Sequence, residues 1–282
     1  MTHSMTHSKT VLVTGATGTV GRHLVARLLA TGHPVRALTR DPATAELPPG
    51  VEVAAGNLGV TATLPAAFAG VGAAHLISFG DGYAPLDNAP GIVAAAVAAG
   101  VRRVTVLKGG AEKTPLDEAL AASPLEVTAL APVEFMSNTL EWAPSVRSEG
   151  VVRDGFPGMP SSLVHEADIA DVAAAVLTDR ESHDGAEYWL TGPEALTAPE
   201  RTAVLAEVLG RDIRFVALSE DEMVARWRGQ GFGDSDIGFF LAMRTDPPEA
   251  GRTVLPTVRR LTGRPARAFA DWVREHAAAF GG

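Results

Sequence analysis

Cysteine is absent from this sequence. Disulfides, thiolate catalysis and cysteine-ligated metals are thereby excluded, and a reducing compartment is compatible. No apolar run approaches the length of a membrane span, so no membrane partner is expected. The opening Met1-Thr2-His3-Ser4-Met5-Thr6-His7-Ser8 is a doubled short unit without the basic and apolar regions of a signal peptide. It reads as a disordered leader, residues 1–8, with Met5 available as an internal start. Positive charge is also in short supply: the formal net charge is −9. That argues against nucleic acid and anionic membranes as partners. A cytoplasmic protein acting on a small molecule, as a monomer or homodimer, is the expectation. No metal-ligand spacing and no Ser-His-Asp order stand out, so no metal is expected.

What the sequence does contain is apolar: 46% of residues are hydrophobic and 20% charged, over 282 residues. That is enough for a large core and for more than one lobe. The organising stretch is Val11-Leu12-Val13-Thr14-Gly15-Ala16-Thr17-Gly18-Thr19-Val20-Gly21. An apolar run ends in glycines spaced G-x-x-G-x-x-G, and an amphipathic segment carrying Val20, Leu24 and Leu28 follows. The pattern predicts strand, tight turn and helix, the context that a dinucleotide-binding loop requires. One glycine permits the turn, one lets the backbone approach a pyrophosphate, and one lets helix pack on strand. The helix N-terminus presents N–H groups to the phosphates.

Strands and helices then alternate. Strands are predicted at Val35 to Thr39, Val51 to Ala55, Ala73 to Phe79, Val104 to Leu107 and Leu125 to Leu130, with helices at Thr61 to Phe68, Pro85 to Ala99 and Pro115 to Ala122. The alternation predicts an α/β fold with a Rossmann-type doubly wound parallel sheet. Ligands of such sheets sit outside the carboxyl ends of the strands. On that argument the cofactor-binding candidates are Gly15, Thr17, Gly18, Thr19, Val20, Gly21, Arg40, Asn57, Leu58, Ser78, Phe79, Gly80, Lys108 and Pro132. An NAD-binding fold places an acid about 20 residues beyond the glycines. Here the second strand ends on Thr39-Arg40-Asp41, and a guanidinium matches a 2′-phosphate. NADP(H) is therefore favoured over NAD(H), the competing reading of Arg40 being a solvated surface charge.

Beyond Pro132 the pattern loosens into a smaller C-terminal α+β substrate lobe. Gly155 to Ser162 is a Gly/Pro-rich loop suited to a pocket edge. A helix over Ile169 to Leu177 is expected with Asp168 as its N-cap, and a final helix over Arg267 to Phe280. The dinucleotide-binding domain is placed at 9–134 with 164–192, and the substrate lobe at 135–163 with 193–282.

The glycine loop, the Arg40-Asp41-Pro42 turn, Phe135-Met136-Ser137-Asn138, His165-Glu166-Ala167-Asp168-Ile169 and the end of the chain from Leu261 together resemble the NmrA-like proteins. These are atypical members of the short-chain dehydrogenase/reductase superfamily. The resemblance implies a Rossmann domain for NADP(H) or NAD(H) and a small C-terminal substrate lobe. It also implies membership of a group that includes quinone and dye reductases and redox-sensing regulators. The superfamily's Tyr-x-x-x-Lys pair is absent: Tyr83 and Tyr188 are the only tyrosines, and neither has a lysine four residues on. Similar proteins often have Gly-Asp where this chain has Gly56-Asn57, and Ser-Ser where it has Lys108-Gly109.

Hydride transfer needs mainly orientation, electrostatics and a proton source from the protein. The catalytic candidates are Lys108, as a donor to cofactor or substrate oxyanion, His165, as a proton donor, and Asn138, as an orienter of a carbonyl. Competing structural readings are a pairing of Lys108 with Glu112, a boundary hydrogen bond for His165 and a local cap for Asn138. Phe135, Met136, Asn138 and Trp142 are the substrate-binding candidates, with plain core packing as the alternative for the apolar three. The expected function is NADPH-dependent reduction of a small conjugated carbonyl or quinone-like compound, in a secondary-metabolic setting. The alternatives are a non-redox biosynthetic enzyme (isomerase, cyclase or dehydratase) on the same scaffold and an NADP-sensing regulatory protein.

Overall fold

The computed structural model describes residues 9–80, 84–110 and 113–282. The expected leader, Tyr83 and Glu112 lie outside the described residues. In chain order the elements are β1 (Thr10–Val13), α1 (Gly21–Ala30), β2 (Val35–Thr39), β3 (Glu52–Ala55), α2 (Leu64–Phe68), β4 (Val71–Ile77), α3 (Ala89–Ala98), β5 (Arg103–Leu107), α4 (Pro115–Ala121) and β6 (Glu126–Pro132). There follow α5 (Ala143–Glu149), β7 (Val151–Asp154), α6 (Glu166–Thr178), β8 (Glu187–Leu190), α7 (Ala198–Leu209), β9 (Arg214–Ala217), α8 (Glu220–Gly229), α9 (Asp234–Thr245), α10 (Thr257–Thr262) and α11 (Phe269–Glu275).

The chain divides into two compact units. The first runs to Pro132 and takes in Glu166–Tyr188; the second comprises Val133–His165 and Trp189–Gly282.

The first unit is built on a seven-stranded sheet of order β3-β2-β1-β4-β5-β6-β8. The pairs β1–β2, β1–β4, β2–β3, β4–β5 and β5–β6 are all parallel. Strands covered on both faces need apolar side chains in both directions, which is why they appear as unbroken apolar runs. Leu12, Leu76 and Val106 enter one core with Leu64, Phe68, Ile92 and Leu116 of α2, α3 and α4. Val11 and Val13 point the other way and are equally buried. On that face α1 packs along α6, and Arg27 pairs with Asp171 at 3.2 Å.

The second unit has its own core. Met136, Trp142, Val146, Leu205, Phe269, Trp272, Val273 and Phe280 form it. β7 and β9 make a separate two-stranded parallel sheet. A smaller cluster of Met223, Trp227 and Ile237 joins α8 to α9.

Three sequence expectations are corrected. The helix expected from Pro85 begins at Ala89 instead, because Pro85 forms an antiparallel bridge with Phe79. Asp168 is not an N-cap: α6 begins at Glu166, and Asp168 lies buried in its first turn. The last helix stops at Glu275, and His276 caps it, its ring stacked on Trp272 at 4.1 Å and its Nδ1 2.8 Å from Trp272 O. A separate 3-10 turn, Ala277–Phe280, follows.

Candidate active site

The strand order reverses between β1 and β4, and such a switch point opens a crevice at the carboxyl ends of the strands. The glycine loop lies there. Gly15 adopts φ +60°, in the left-handed region that glycine occupies without strain. Thr14 Oγ1 donates to His75 O at 3.0 Å and accepts from Ile77 N–H at 3.0 Å, which fixes the end of β1 to β4. Gly21 is buried at the first turn of α1. A Cβ there would overlap Gly15 O and lie 2.8 Å from Ala16 Cα. Gly18 is exposed, and its position would hold a Cβ 3.1 Å from Gly15 O. The glycines therefore carry distinct tasks: turn, open approach and close helix packing.

The start of α1 has no side-chain cap and no acidic residue in its first turn. By contrast, α4, α7 and α8 each begin with a capping box. Among the described residues, the N–H groups of Val20 and Gly21 have no backbone acceptor outside the helix. A helix opening on free donors, over a backbone cleared of side chains, fits a pyrophosphate. Thr17 is exposed and Thr19 half-buried beside it. The Val20 side chain is core, so only its backbone serves this role.

Around the crevice the other strand ends are arranged by local chemistry. Arg40 is exposed at the tip of β2. Asp41 is turned to its own loop, Oδ1 accepting from Ala43 N–H at 3.1 Å. Asn57 uses Oδ1 to accept from Gly59 N–H at 2.8 Å, and Leu58 is a core side chain. Ser78 is buried and accepts the Gly109 N–H at 3.1 Å, joining the ends of β4 and β5. Phe79 and Gly80 are half-buried, with Gly80 N–H donating to Ala84 O at 2.8 Å. Pro132 closes β6, half-buried.

Lys108 follows β5 directly. Its Nζ lies 2.7 Å from Asp117 Oδ2, and its side chain is only 9% exposed. The acid that sequence spacing suggested, Glu112, is outside the described residues. Burial raises the Asp117 pKa, but the hydrogen bond from Lys108, those from Thr114 and the lysine charge together hold it below the ordinary value.

In the second unit the expected substrate residues separate. Met136 and Trp142 are core residues, packed with Phe269 and Trp272, which corrects their reading as substrate contacts. Their segment is a 3-10 helix, Met136–Trp142, whose inward face carries Met136, Thr139 and Trp142. Phe135 is half-buried and Asn138 exposed on the same segment. His165 is buried and its Nε2 lies 3.2 Å from Glu275 Oε2. Sequence reasoning missed a partly buried ionic cluster here. Glu134 lies 3.5 Å from Arg201 and 3.9 Å from Arg244, and Arg244 lies 3.7 Å from Asp154. Arg201 also stacks over Trp142, 4.9 Å from the ring centroid. Burial raises the Glu134 pKa, but the two guanidinium charges and Ser161 outweigh it and hold the carboxyl below its usual range. Among the described residues, no group of histidines and carboxylates is arranged to hold a metal, and no helix is long and apolar enough to cross a membrane.

The sheet order, the glycine loop and the open helix terminus define a Rossmann-type dinucleotide-binding fold. The comparisons narrow this class. The sequence signature of the NmrA-like family matches residues 7–106. The (4-alkanoyl-5-oxo-2,5-dihydrofuran-3-yl)methyl phosphate reductase of Streptomyces griseus subsp. griseus is 41% identical, over 96% of this chain and 99% of its own length. The NAD(P)H azoreductase of Xenophilus azovorans is 33% identical, over 96% and 99%. The NADPH-dependent quinone oxidoreductase of Escherichia coli, solved in complex with NADPH, superposes with a TM-score of 0.76 at 25% identity, covering 94% of this chain and 99% of that one. The chain belongs to the NmrA-like family.

Proposed function

We propose that this protein is an NADPH-dependent reductase of a small conjugated carbonyl compound, of the unsaturated-lactone type. The observation that carries the reading is the glycine loop beneath the open start of α1, with Arg40 at the tip of β2. When bound, NADPH supplies the hydride. The chain supplies the rest. Donors at Val20 and Gly21 would hold the pyrophosphate. Arg40 is suited to the 2′-phosphate, because it is exposed at the tip of β2 and a guanidinium matches phosphate charge and geometry. Asn57, Ser78, Phe79, Gly80 and Pro132 line the remaining strand ends. The name of the 41% identical relative describes a butenolide, whose ring C=C is conjugated to a carbonyl. That chemistry supports an unsaturated lactone over an azo or quinone substrate.

In this reading the second unit is the substrate lobe, with half-buried Phe135 and exposed Asn138 as its aromatic and polar contacts. His165 orients Glu275 instead of donating a proton, since it is buried and its Nε2 already lies 3.2 Å from that carboxylate. The protein acts in the cytoplasm as a monomer or homodimer.

The test is a parallel titration with NADPH and NADH, followed by tryptophan fluorescence and calorimetry, then NADPH oxidation with a butenolide phosphate, a naphthoquinone and an azo dye. NADPH binding at least tenfold tighter than NADH, with fastest turnover of the butenolide, is expected. Equal affinity for the two cofactors would refute the assignment of Arg40. Preference for the quinone or dye would refute the substrate class.

A further inference from the structure

Lys108 is more buried than its local role requires. It follows the carboxyl end of β5 and reaches the first turn of α4, its side chain 9% exposed. Three donors converge on Asp117 Oδ2: Lys108 Nζ at 2.7 Å, the Thr114 N–H at 2.7 Å and the Thr114 hydroxyl at 2.8 Å. Asp117 N–H returns a bond to Thr114 Oγ1 at 3.2 Å. That capping box is complete without a lysine. The equivalent boxes of α7 (Thr197 with Glu200) and α8 (Ser219 with Glu222) are built from the same bonds, and no cation pairs with either carboxylate among the described residues. An ammonium also carries three donors, and Asp117 takes one. Burying the other two beside a crevice costs free energy unless an acceptor arrives.

We infer that Asp117 is a positioning residue that holds Lys108 as a ready donor to a substrate oxyanion at the carboxyl end of β5. The inference rests on the reductase reading above. Hydride addition to the β-carbon of a conjugated carbonyl moves the C=C electron pair onto the carbonyl oxygen. The Lys108 ammonium hydrogen-bonds that oxygen as its charge develops. A solvent proton taken at the α-carbon completes a net addition of hydride and proton, and the reduced nicotinamide is the species oxidised. Asp117, pinned by Thr114, keeps the ammonium from swinging away and costs no reorganisation during the reaction.

The probe is 4-nitrophenol, which imitates an enolate and reports its own ionisation by absorbance, added to protein saturated with NADP+. The parent should bind the phenolate at least tenfold more tightly than Lys108→Met. Lys108→Met leaves the Asp117–Thr114 box in place, so it should fold as the parent does, checked by circular dichroism. Asp117→Asn should bind the phenolate several-fold more weakly and raise the pH at which bound nitrophenol ionises. It should also lower kcat at least tenfold with little change in KM. Lys108→Arg should recover part of the phenolate affinity. Equal phenolate affinity in the parent and Lys108→Met would overturn the inference, whatever the turnover. Phenolate discrimination in a parent that reduces no conjugated carbonyl would uphold the oxyanion site and refute the reductase reading alone.

Discussion

The glycine loop makes two demands that one pair of variants can separate. A methyl group on Gly21 would overlap Gly15 O and sit 2.7 Å from the Gly15 carbonyl carbon and 2.8 Å from Ala16 Cα. All three obstacles are backbone atoms at the end of a central strand, so none can rotate away. The start of α1 would have to lift, and with it Leu24, Val25 and Leu28, which are fully buried. Overpacking usually costs about 1–3 kcal/mol, and a backbone obstacle belongs at the upper end. Alanine recovers up to about 1 kcal/mol of helix propensity only where the helix is undisturbed, which is not the case here. We therefore expect Gly21→Ala to lose about 3 kcal/mol. At about 2–4 °C per kcal/mol for a domain of this size, Tm should fall by about 6–12 °C. Gly18 differs: it is exposed, and its Cβ would meet only Gly15 O at 3.1 Å. Gly18→Ala should change stability by less than about 1 kcal/mol. It would nonetheless place a methyl where a pyrophosphate must approach, weakening NADPH at least tenfold, or about 1.4 kcal/mol. Thermal unfolding without cofactor, paired with NADPH titration, reads both. A Gly21→Ala protein with the parental Tm would refute the packing argument. A Gly18→Ala protein that binds NADPH normally would refute the placement of the phosphates.

The remaining predictions concern charge. Arg40→Ala should weaken NADPH by about 1.5–3 kcal/mol, the range of a charged hydrogen bond, and leave NADH unchanged; a parallel loss for both cofactors would remove Arg40 from the 2′-phosphate. His75 is buried with its Nδ1 2.8 Å from Thr105 Oγ1 and Nε2 without a partner, and burial lowers its pKa from 6.5 to about 4. Between those values the unfolded chain binds a proton that the native chain does not, so stability is full above 6.5 and is lost as pH falls towards 4. The loss should be on the order of 3 kcal/mol. Urea unfolding of the parent and His75→Leu at pH 7 and pH 4 should show the steeper decline in the parent; parallel declines would sink the assignment. Arg201→Ala should cost roughly 3 kcal/mol, because it strips the nearer cation from partly buried Glu134 and uncovers the Trp142 ring; Arg201→Lys should restore only part of this, measured by denaturant unfolding.

What could be seen in the sequence follows from how locally each feature is determined. The strands of the first unit were legible because burial on both faces demands apolar runs, and glycine or proline bounds them. Given those strands, the crevice followed from topology, and Gly15, Gly18, Arg40, Asn57 and Ser78 do lie at strand ends. The helix starts at α4, α7 and α8 were also written locally, as Thr114-x-x-Asp117, Thr197-x-x-Glu200 and Ser219-x-x-Glu222. Reading the first of these would have named Asp117 as a fixed carboxylate near the end of β5, and so a partner for Lys108. Met136 and Trp142 show the opposite limit. An apolar stripe has the same spacing whether it faces a substrate or Phe269 and Trp272, and those partners lie far along the chain. The Glu134–Arg201–Arg244–Asp154 cluster is less legible still, since each member is an ordinary charge until folding removes its water. Local sequence therefore carries the glycine loop, whereas the surroundings of Met136 and Trp142 are set by contacts that only the folded second unit brings together.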